Sequence, residues 1–360
     1  MINVAVMGYG VVGSGVVELL DKNNRLFEKK IGQPVQCKYI LDIRDFPGDP
    51  YADKMIKDFD TIVNDGDVDV VVETIGGANV AYEFTKRALL AGKHVVTSNK
   101  ELVASKAPEL LSIARQKGVK YLFEASVGGG IPIISPMRNC LAANEIEKIV
   151  GILNGTTNYI LTKMVREGIS FDEALRQAQA LGYAEQDPSA DIEGKDTCRK
   201  ICILASLAFG RHVYPDSVKT VGIKQITLDD ITRAEKENCV IKLIGSAEKK
   251  ADGTVEVFVS PCAISKDHSL ANIEDVFNGI AVTGDAIGEC MFYGRGAGKM
   301  PTASAVGSDI IDAVTGNAGD EIFWQDSPDS GFVRSFDRDG VKYDYFDKEK
   351  QIVYLDRGDK

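Results

Sequence analysis

INVAVMGYGVVGSGVVELL, residues 2–20, decides the fold. INVAVM is a short apolar strand pattern, Gly8-Tyr9-Gly10-Val11-Val12-Gly13 follows without a gap, and SGVVELL continues with helical apolar spacing. This is G-x-G-x-x-G in the setting its chemistry requires: strand, turn, helix. Gly8 permits the tight turn, Gly10 lets a pyrophosphate approach the main chain, and Gly13 lets helix and strand pack closely. The positive end of the helix then faces the phosphates. Val11 and Val12 lie in the same turn and count among the cofactor-binding positions. The competing reading is a glycine loop at the start of an α/β domain with no ligand.

The alternation continues outward from that turn. VQCKYILDI (35–43) reads as a second strand and DVDVVVETIGG (67–77) as a third. A helical AYEFTKRALLAG leads into KHVVTSNK (93–100), and KYLFEAS (120–126) supplies another strand. Strands alternating with helices imply a parallel sheet with ligands at its carboxyl end. Thr74, Ser98, Asn99 and Lys100 occupy such ends, where the crevice exposes polar groups. The second strand closes on Asp42-Ile43-Arg44-Asp45. An acid there suits the ribose 2′-hydroxyl of NAD, and an arginine suits the 2′-phosphate of NADP. Arg44 tilts the reading towards NADP; a surface ion pair between Arg44 and Asp45 is the competing one.

With 360 residues the chain suggests two domains. Its 44% hydrophobic and 26% charged residues are ordinary for a globular protein in water. The net charge of −11 argues against nucleic acid as a partner, since a phosphate backbone calls for a concentrated basic surface. No run of about 18 apolar residues suggests a membrane helix. MINVAVMGYG enters a strand directly, without a leader pattern. Seven scattered cysteines with no C-x-x-C pair read as reduced core thiols and point to the cytoplasm, and three unclustered histidines offer no zinc site.

GYAEQDPSADIEGKDTCRK (182–200) has a different character. Glu185, Asp187, Asp191, Glu193 and Asp196 crowd with Lys195, Arg199 and Lys200 just ahead of the apolar ICILASLAFG. Charges beside a buried helix are costly unless paired or used. Asp196 and Lys200, four apart, share one helical face. The alternative is an exposed i,i+4 pair, which the apolar run after Lys200 disfavours. The segment reads as the wall of a site for a small, charged molecule.

SNKELVA (98–104), EASVGGGIPII (124–134), GILNGTTNYILT (151–162), the acidic segment and GRGAGKMPTASAVGSDI (294–310) follow one another in the order found in homoserine dehydrogenases, and over about residues 1–315 the chain resembles that family. The resemblance implies NAD(P)-dependent interconversion of L-homoserine and L-aspartate 4-semialdehyde, in threonine, isoleucine and methionine biosynthesis. It makes Lys200 the proton donor and acceptor, with Lys100 and Asp196 also catalytic. It assigns Glu185, Asp196, Asp191, Thr156 and Tyr183 to the substrate, and Gly182 and Gly298 to the cofactor. It implies a sodium ion held through Glu124, Val127, Gly129 and Ile131, and a homodimer. Asn154, Gly155 and Thr157 read equally as part of that site or as a turn and helix cap alone.

This chemistry is coherent by itself. Reducing an aldehyde builds negative charge on oxygen, and an ammonium beside it stabilises that charge and delivers a proton. Asp196 orients Lys200; Glu185 suits the substrate ammonium. The chemistry also needs Lys100 and a nicotinamide supplied by the other half of the chain. Two further readings compete: another two-domain Rossmann dehydrogenase acting on a different amino-acid semialdehyde, and a non-catalytic nucleotide-sensing module.

The fold class that follows is α/β: a Rossmann dinucleotide-binding domain from residues 1–135 with 296–320, plus an α+β catalytic and dimerisation domain, with a mainly β sheet, from 136–295. VEVFVSPCAI (255–264) alternates as one of its strands. Residues 321–360 read as a short β-rich tail with turns at 337–340 and 347–350. The tail is shorter than the regulatory domain many family members carry, so threonine inhibition through such a domain is expected to be absent. Edge pairing within a dimer is one role open to the tail.

Overall fold

The computed structural model describes residues 1–316, 322–329, 331–335 and 344–355. They form two compact units, Met1–Ser135 with Ala297–Asp326, and Pro136–Gly296 with Ser327–Lys360.

In the first unit, β1 (Ile2–Met7) is followed by α1 (Val11–Lys22), α2 (Asn24–Ile31) and β2 (Val35–Leu41). Then come β3 (Met55–Ile56), α3 (Asp60–Asn64), β4 (Val70–Glu73), α4 (Asn79–Leu90), β5 (His94–Thr97), α5 (Lys100–Lys117) and β6 (Tyr121–Leu122). The strands lie in the order β3-β2-β1-β4-β5-β6, every pair parallel. Parallel strands covered on both faces read as unbroken apolar runs, and all four residues of β4 are buried. The order reverses between β1 and β4, the switch point where such sheets bind ligands.

Two details depart from the sequence reading. The strand expected over 120–126 stops at Leu122, and Glu124–Ser126 turn into a short 3-10 helix. Glu124 N donates to Asp309 Oδ2 at 2.9 Å, a tie to a distant helix that no local pattern announces. The edge strand β3 is two residues long, too short to carry a periodicity.

α6 (Ile134–Asn139) carries the chain onward. The second unit then runs β7 (Ile146–Ile152), α7 (Gly155–Glu167), α8 (Phe171–Ala180), α9 (Ser189–Ile192), α10 (Lys195–Phe209), β8 (Lys219–Thr220) and α11 (Leu228–Lys236). Four longer strands follow: β9 (Cys239–Lys249), β10 (Val255–Ser265), β11 (Phe277–Gly284) and β12 (Gly288–Arg295). α12 (Lys299–Thr315) belongs to the first unit. It packs on α1 where glycines allow it: a Cβ on Gly15 would lie 2.9 Å from the Lys299 side chain, and Lys299 pairs with Glu18 at 2.8 Å.

Three short tail strands, β13 (Val333–Arg334), β14 (Tyr345–Asp347) and β15 (Ile352–Leu355), complete the second unit. Its sheet is ordered β12-β11-β7-β9-β10-β15-β14, with β8 and β13 also on β10. β15 runs parallel to β10 of its own chain. Val353 and Leu355 join a buried cluster with Ile152, Ile244, Phe258 and Ile264. Burying each such side chain contributes roughly 1.5–3 kcal/mol. A turn forms where Lys350 N donates to Asp347 Oδ1 at 3.0 Å; the turn expected at 337–340 lies outside the described residues.

Four of the seven cysteines are buried, but Cys140 is exposed, so the reading of all seven as core thiols holds only in part. Among the described residues no helix is long and apolar enough to cross a membrane.

Candidate active site

The glycine turn after β1 has the geometry its sequence requires. Gly8 sits at φ +90°, and a Cβ on Gly13 would lie 1.8 Å from the Gly8 carbonyl oxygen. No side chain caps the start of α1. Helices normally satisfy their first N–H groups with a cap, and Gly10 at the N-cap has no side chain to supply one. A Cβ on Gly10 would meet no described atom within 4 Å, so the approach is open.

The neighbouring strand ends hold this turn in place. The Thr74 hydroxyl donates to the carbonyls of Met7 (3.0 Å) and Gly8 (2.8 Å), bracing the glycine turn from β4. Its hydroxyl is thus committed to the main chain. Arg44 pairs with Asp42, not with Asp45: Nε and Nη2 donate to its two carboxylate oxygens at 3.0 and 2.9 Å. Asp45 pairs with Lys57. Asp42 also accepts from Tyr9 N at 2.7 Å, and the guanidinium holds its carboxyl well below the usual carboxylate range. The 58%-exposed Arg44 side chain leaves a half-solvated cation at the tip of β2.

At β5, Thr97 Oγ1 donates to Glu73 Oε2 at 2.6 Å, and Ile75 N donates to Glu73 Oε1 at 2.7 Å. Glu73 is wholly buried, and burial pushes its carboxyl up to about 7. The sequence reading set the strand end 73–77 beside the cofactor but gave Glu73 no role of its own. An acid ending the apolar VVVE was the available signal. Ser98 N donates to the Glu73 carbonyl at 3.3 Å, and Asn99 caps α5 through a bond from Leu102 N. Lys100 is therefore the first residue of α5, where the helix dipole opposes a positive charge. A cation placed against a dipole is not there for helix stability.

The Glu124 loop is tied tightly. Oε1 accepts from Ile133 N (2.6 Å) and Ile134 N (2.9 Å), and Oε2 accepts from Ser135 N (2.6 Å). Gly129 lies at φ +57°, and Ile131 N donates back to the Gly128 carbonyl at 2.9 Å, with Val127 beside the turn. Among the described residues no cluster of three His, Cys, Asp or Glu could ligate a metal. Gly298 precedes α12 at φ +129°, a conformation side chains rarely adopt.

In the second unit the acidic segment folds as α9 and the start of α10. Asp196 and Lys200 lie on one face, Oδ2 to Nζ 2.9 Å, with side chains only 5% and 9% exposed. The exposed-pair alternative is overturned: Ile201–Ala205 turn this helix inward and take the pair with them. Lys200 Nζ also donates to the Leu153 carbonyl at 2.8 Å. Asn154 Nδ2 reaches Asp191 Oδ1 at 2.7 Å and Asp196 Oδ2 at 2.9 Å. Thr156 Oγ1 donates to the Tyr183 carbonyl at 2.6 Å, and the Tyr183 ring meets Tyr159 edge-on at 5.1 Å.

Asp191, Asp196 and Lys200 are thus linked through Asn154, which the sequence offered as a turn or helix cap, while Thr156 and Tyr183 form a separate pair. Glu185 and Gly182 lie on the exposed loop after α8, Gly182 at φ +74°. The contact drawn from Glu185 is through its carbonyl, which accepts from Gln179 Nε2 at 3.1 Å.

An open, uncapped dinucleotide turn together with a buried ammonium–carboxylate pair defines an NAD(P)-dependent oxidoreductase of two-unit build. Comparison with known proteins gives the particular family. The family model "Homoserine dehydrogenase, NAD binding domain" matches residues 8–124, and "Homoserine dehydrogenase" matches residues 132–311. The homoserine dehydrogenase of Synechocystis sp. is 46% identical over 319 residues, covering 87% of this chain and 73% of that one. The crystal structure of a homoserine dehydrogenase from Thiobacillus denitrificans superposes with a TM-score of 0.83 at 40% identity, covering 87% of this chain and 73% of its own. A hyperthermophilic archaeal homoserine dehydrogenase in complex with NADPH is 28% identical with a TM-score of 0.72, covering 87% and 97%. The chain belongs to the homoserine dehydrogenase family and acts on the CH–OH group of homoserine with NAD(P). The sensing-module and other-substrate readings give way to this match.

Proposed function

We propose that Lys200 is the proton donor and acceptor of the reaction, and the observation that carries this is its burial against Asp196. A bound nicotinamide supplies or takes up the hydride. During reduction, the Lys200 ammonium stabilises the charge growing on the aldehyde oxygen and donates a proton to it; during oxidation its amine takes the hydroxyl proton. Asp196 and the Leu153 carbonyl hold Nζ in place. Glu185 and Asp191 receive the substrate ammonium, and the Thr156 bond to Tyr183 fixes the loop that carries Glu185. Lys100 is the second lysine of the catalytic set, supported by its place as the first residue of α5, where a cation is not favoured by the helix dipole. Gly8, Gly10, Val11, Val12 and Gly13 take the pyrophosphate, with Thr74, Ser98, Gly182 and Gly298 as further cofactor positions.

Three finer assignments belong to the same reading. Arg44 favours NADP, supported by its half-exposed guanidinium at the tip of β2. Glu124 and the carbonyls of Val127, Gly129 and Ile131 are all oxygen donors, a set that fits a hard cation such as sodium. β12 ends the second sheet with Ile287, Met291 and Tyr293 exposed beside or along it. A long edge with apolar side chains is an aggregation hazard unless covered, which supports a homodimer through that edge. The product feeds threonine, isoleucine and methionine synthesis.

The test is NAD(P)H oxidation with aspartate semialdehyde by the wild type and Lys200→Ala. The variant is expected to lose most of kcat with cofactor affinity unchanged; an undiminished kcat removes Lys200 from the proton transfer.

A further inference from the structure

Asn154 caps α7, and that cap also fixes which way its amide faces. Oδ1 accepts from Thr157 N at 2.8 Å and from Thr157 Oγ1 at 2.9 Å. A main-chain N–H only donates, so the atom facing it is oxygen and Nδ2 points away from the helix. There, buried, Nδ2 bridges two carboxylates: Asp191 Oδ1 at 2.7 Å and Asp196 Oδ2 at 2.9 Å. Asp196 Oδ2 is the same atom that lies 2.9 Å from Lys200 Nζ. A second acceptor of Lys200, the Leu153 carbonyl, belongs to the peptide bond joining Leu153 to Asn154. These two anchors of the ammonium therefore pass through this one residue.

We infer that Asn154 is a positioning residue for Lys200, holding the Asp191 and Asp196 carboxylates side by side so that Asp196 stays aimed at Nζ. The inference rests on the reading of Lys200 as the proton donor. Its logic is electrostatic. Two neighbouring carboxylates repel, and in a buried place one takes up a proton unless donors lie between them. An amide N–H₂ supplies two donors and no charge. Capping does not require asparagine, because serine, threonine and aspartate cap as well or nearly so. Bridging two acids does require it: serine is too short, and aspartate sets a third carboxylate against Asp191 and Asp196.

This separates cap from bridge in the full-length enzyme. Asn154→Ser and Asn154→Asp keep a capping oxygen; Thr157→Ala alters the cap and leaves the bridge. Steady-state reduction of aspartate semialdehyde is measured across pH for all three, with thermal melting alongside. Asn154→Ser is expected to stay folded, keep KM for NADPH, and lose about 10- to 100-fold in kcat, the scale of a misplaced reacting group. Asn154→Asp is expected to move the alkaline limb of the kcat profile to higher pH, because added negative charge favours the ammonium. Thr157→Ala keeps both kcat and profile. Wild-type kcat and profile in Asn154→Ser overturn the inference, as does a loss that Thr157→Ala reproduces. Should Lys200→Ala itself keep full kcat, the underlying assignment of Lys200 fails instead.

Discussion

At residues 8–13 the turn is built on main-chain groups and glycines, whereas Asp196 and Lys200 are charged side chains withdrawn from water. The first site stays polar because its helix has no cap and its glycines leave space. The second buries an ammonium against a carboxylate and braces the pair with an amide and a carbonyl. A main-chain site tolerates loss of a nearby side chain but not an added Cβ. A buried-charge site fails when any single partner is removed, because the remaining charge is left uncompensated.

This contrast breaks most sharply at Lys200. Lys200→Ala is expected to lower kcat about 10²- to 10⁴-fold, the usual worth of a general acid, with NADPH binding unchanged by fluorescence titration. A parallel loss of NADPH binding would mean the two sites are not separable in this way.

Glu73 belongs to the first unit yet behaves like the second, which makes it the sharpest test of the division. Its folded-state carboxyl titrates near 7 against an ordinary 4.5, so the fold prefers it protonated. The associated stability is present below about pH 4.5 and is lost as pH rises to about 7, roughly 3 kcal/mol in all. Glu73→Gln is expected to abolish that decline. Urea unfolding of both proteins at about pH 4 and about pH 8 checks it; parallel curves would show that folding does not raise the Glu73 carboxyl.

Gly13→Ala introduces a Cβ 1.8 Å from the Gly8 carbonyl oxygen. Overpacking of this kind costs about 1–3 kcal/mol, and the displaced turn is expected to weaken NADPH binding at least tenfold by calorimetry. Arg44→Ala should have the smallest effect: a severalfold rise in KM for NADP with KM for NAD unchanged, since Asp42 already neutralises much of the guanidinium charge. An unchanged KM for NADP removes Arg44 from cofactor selection.

The contrast also explains what reading the chain achieved. The glycine turn, the strands of the first unit and the pairing of Asp196 with Lys200 all depend on spacings within a few residues, and those spacings are visible. The strand expected over 120–126 stops short because Asp309, far along the chain, ties down Glu124 N. Arg44 was weighed against its neighbour Asp45, but the side chain folds back on Asp42, whose carboxylate is already fixed by Tyr9 N. Asn154 carries a clear cap signal, and that signal hides its second role. Nothing local shows that Asp191 and Asp196, some forty residues later, come to its amide.

Read alone, the chain marks out the Rossmann unit and the family, because glycine conformations, apolar periods and i,i+4 faces are properties of short segments. Only the tertiary structure decided that Lys200 and Asp196 are buried, that Glu73 is wholly enclosed, and that Asn154 bridges two acids. Burial and long-range hydrogen bonds depend on which distant segments exclude water from a side chain, and no local spacing encodes that.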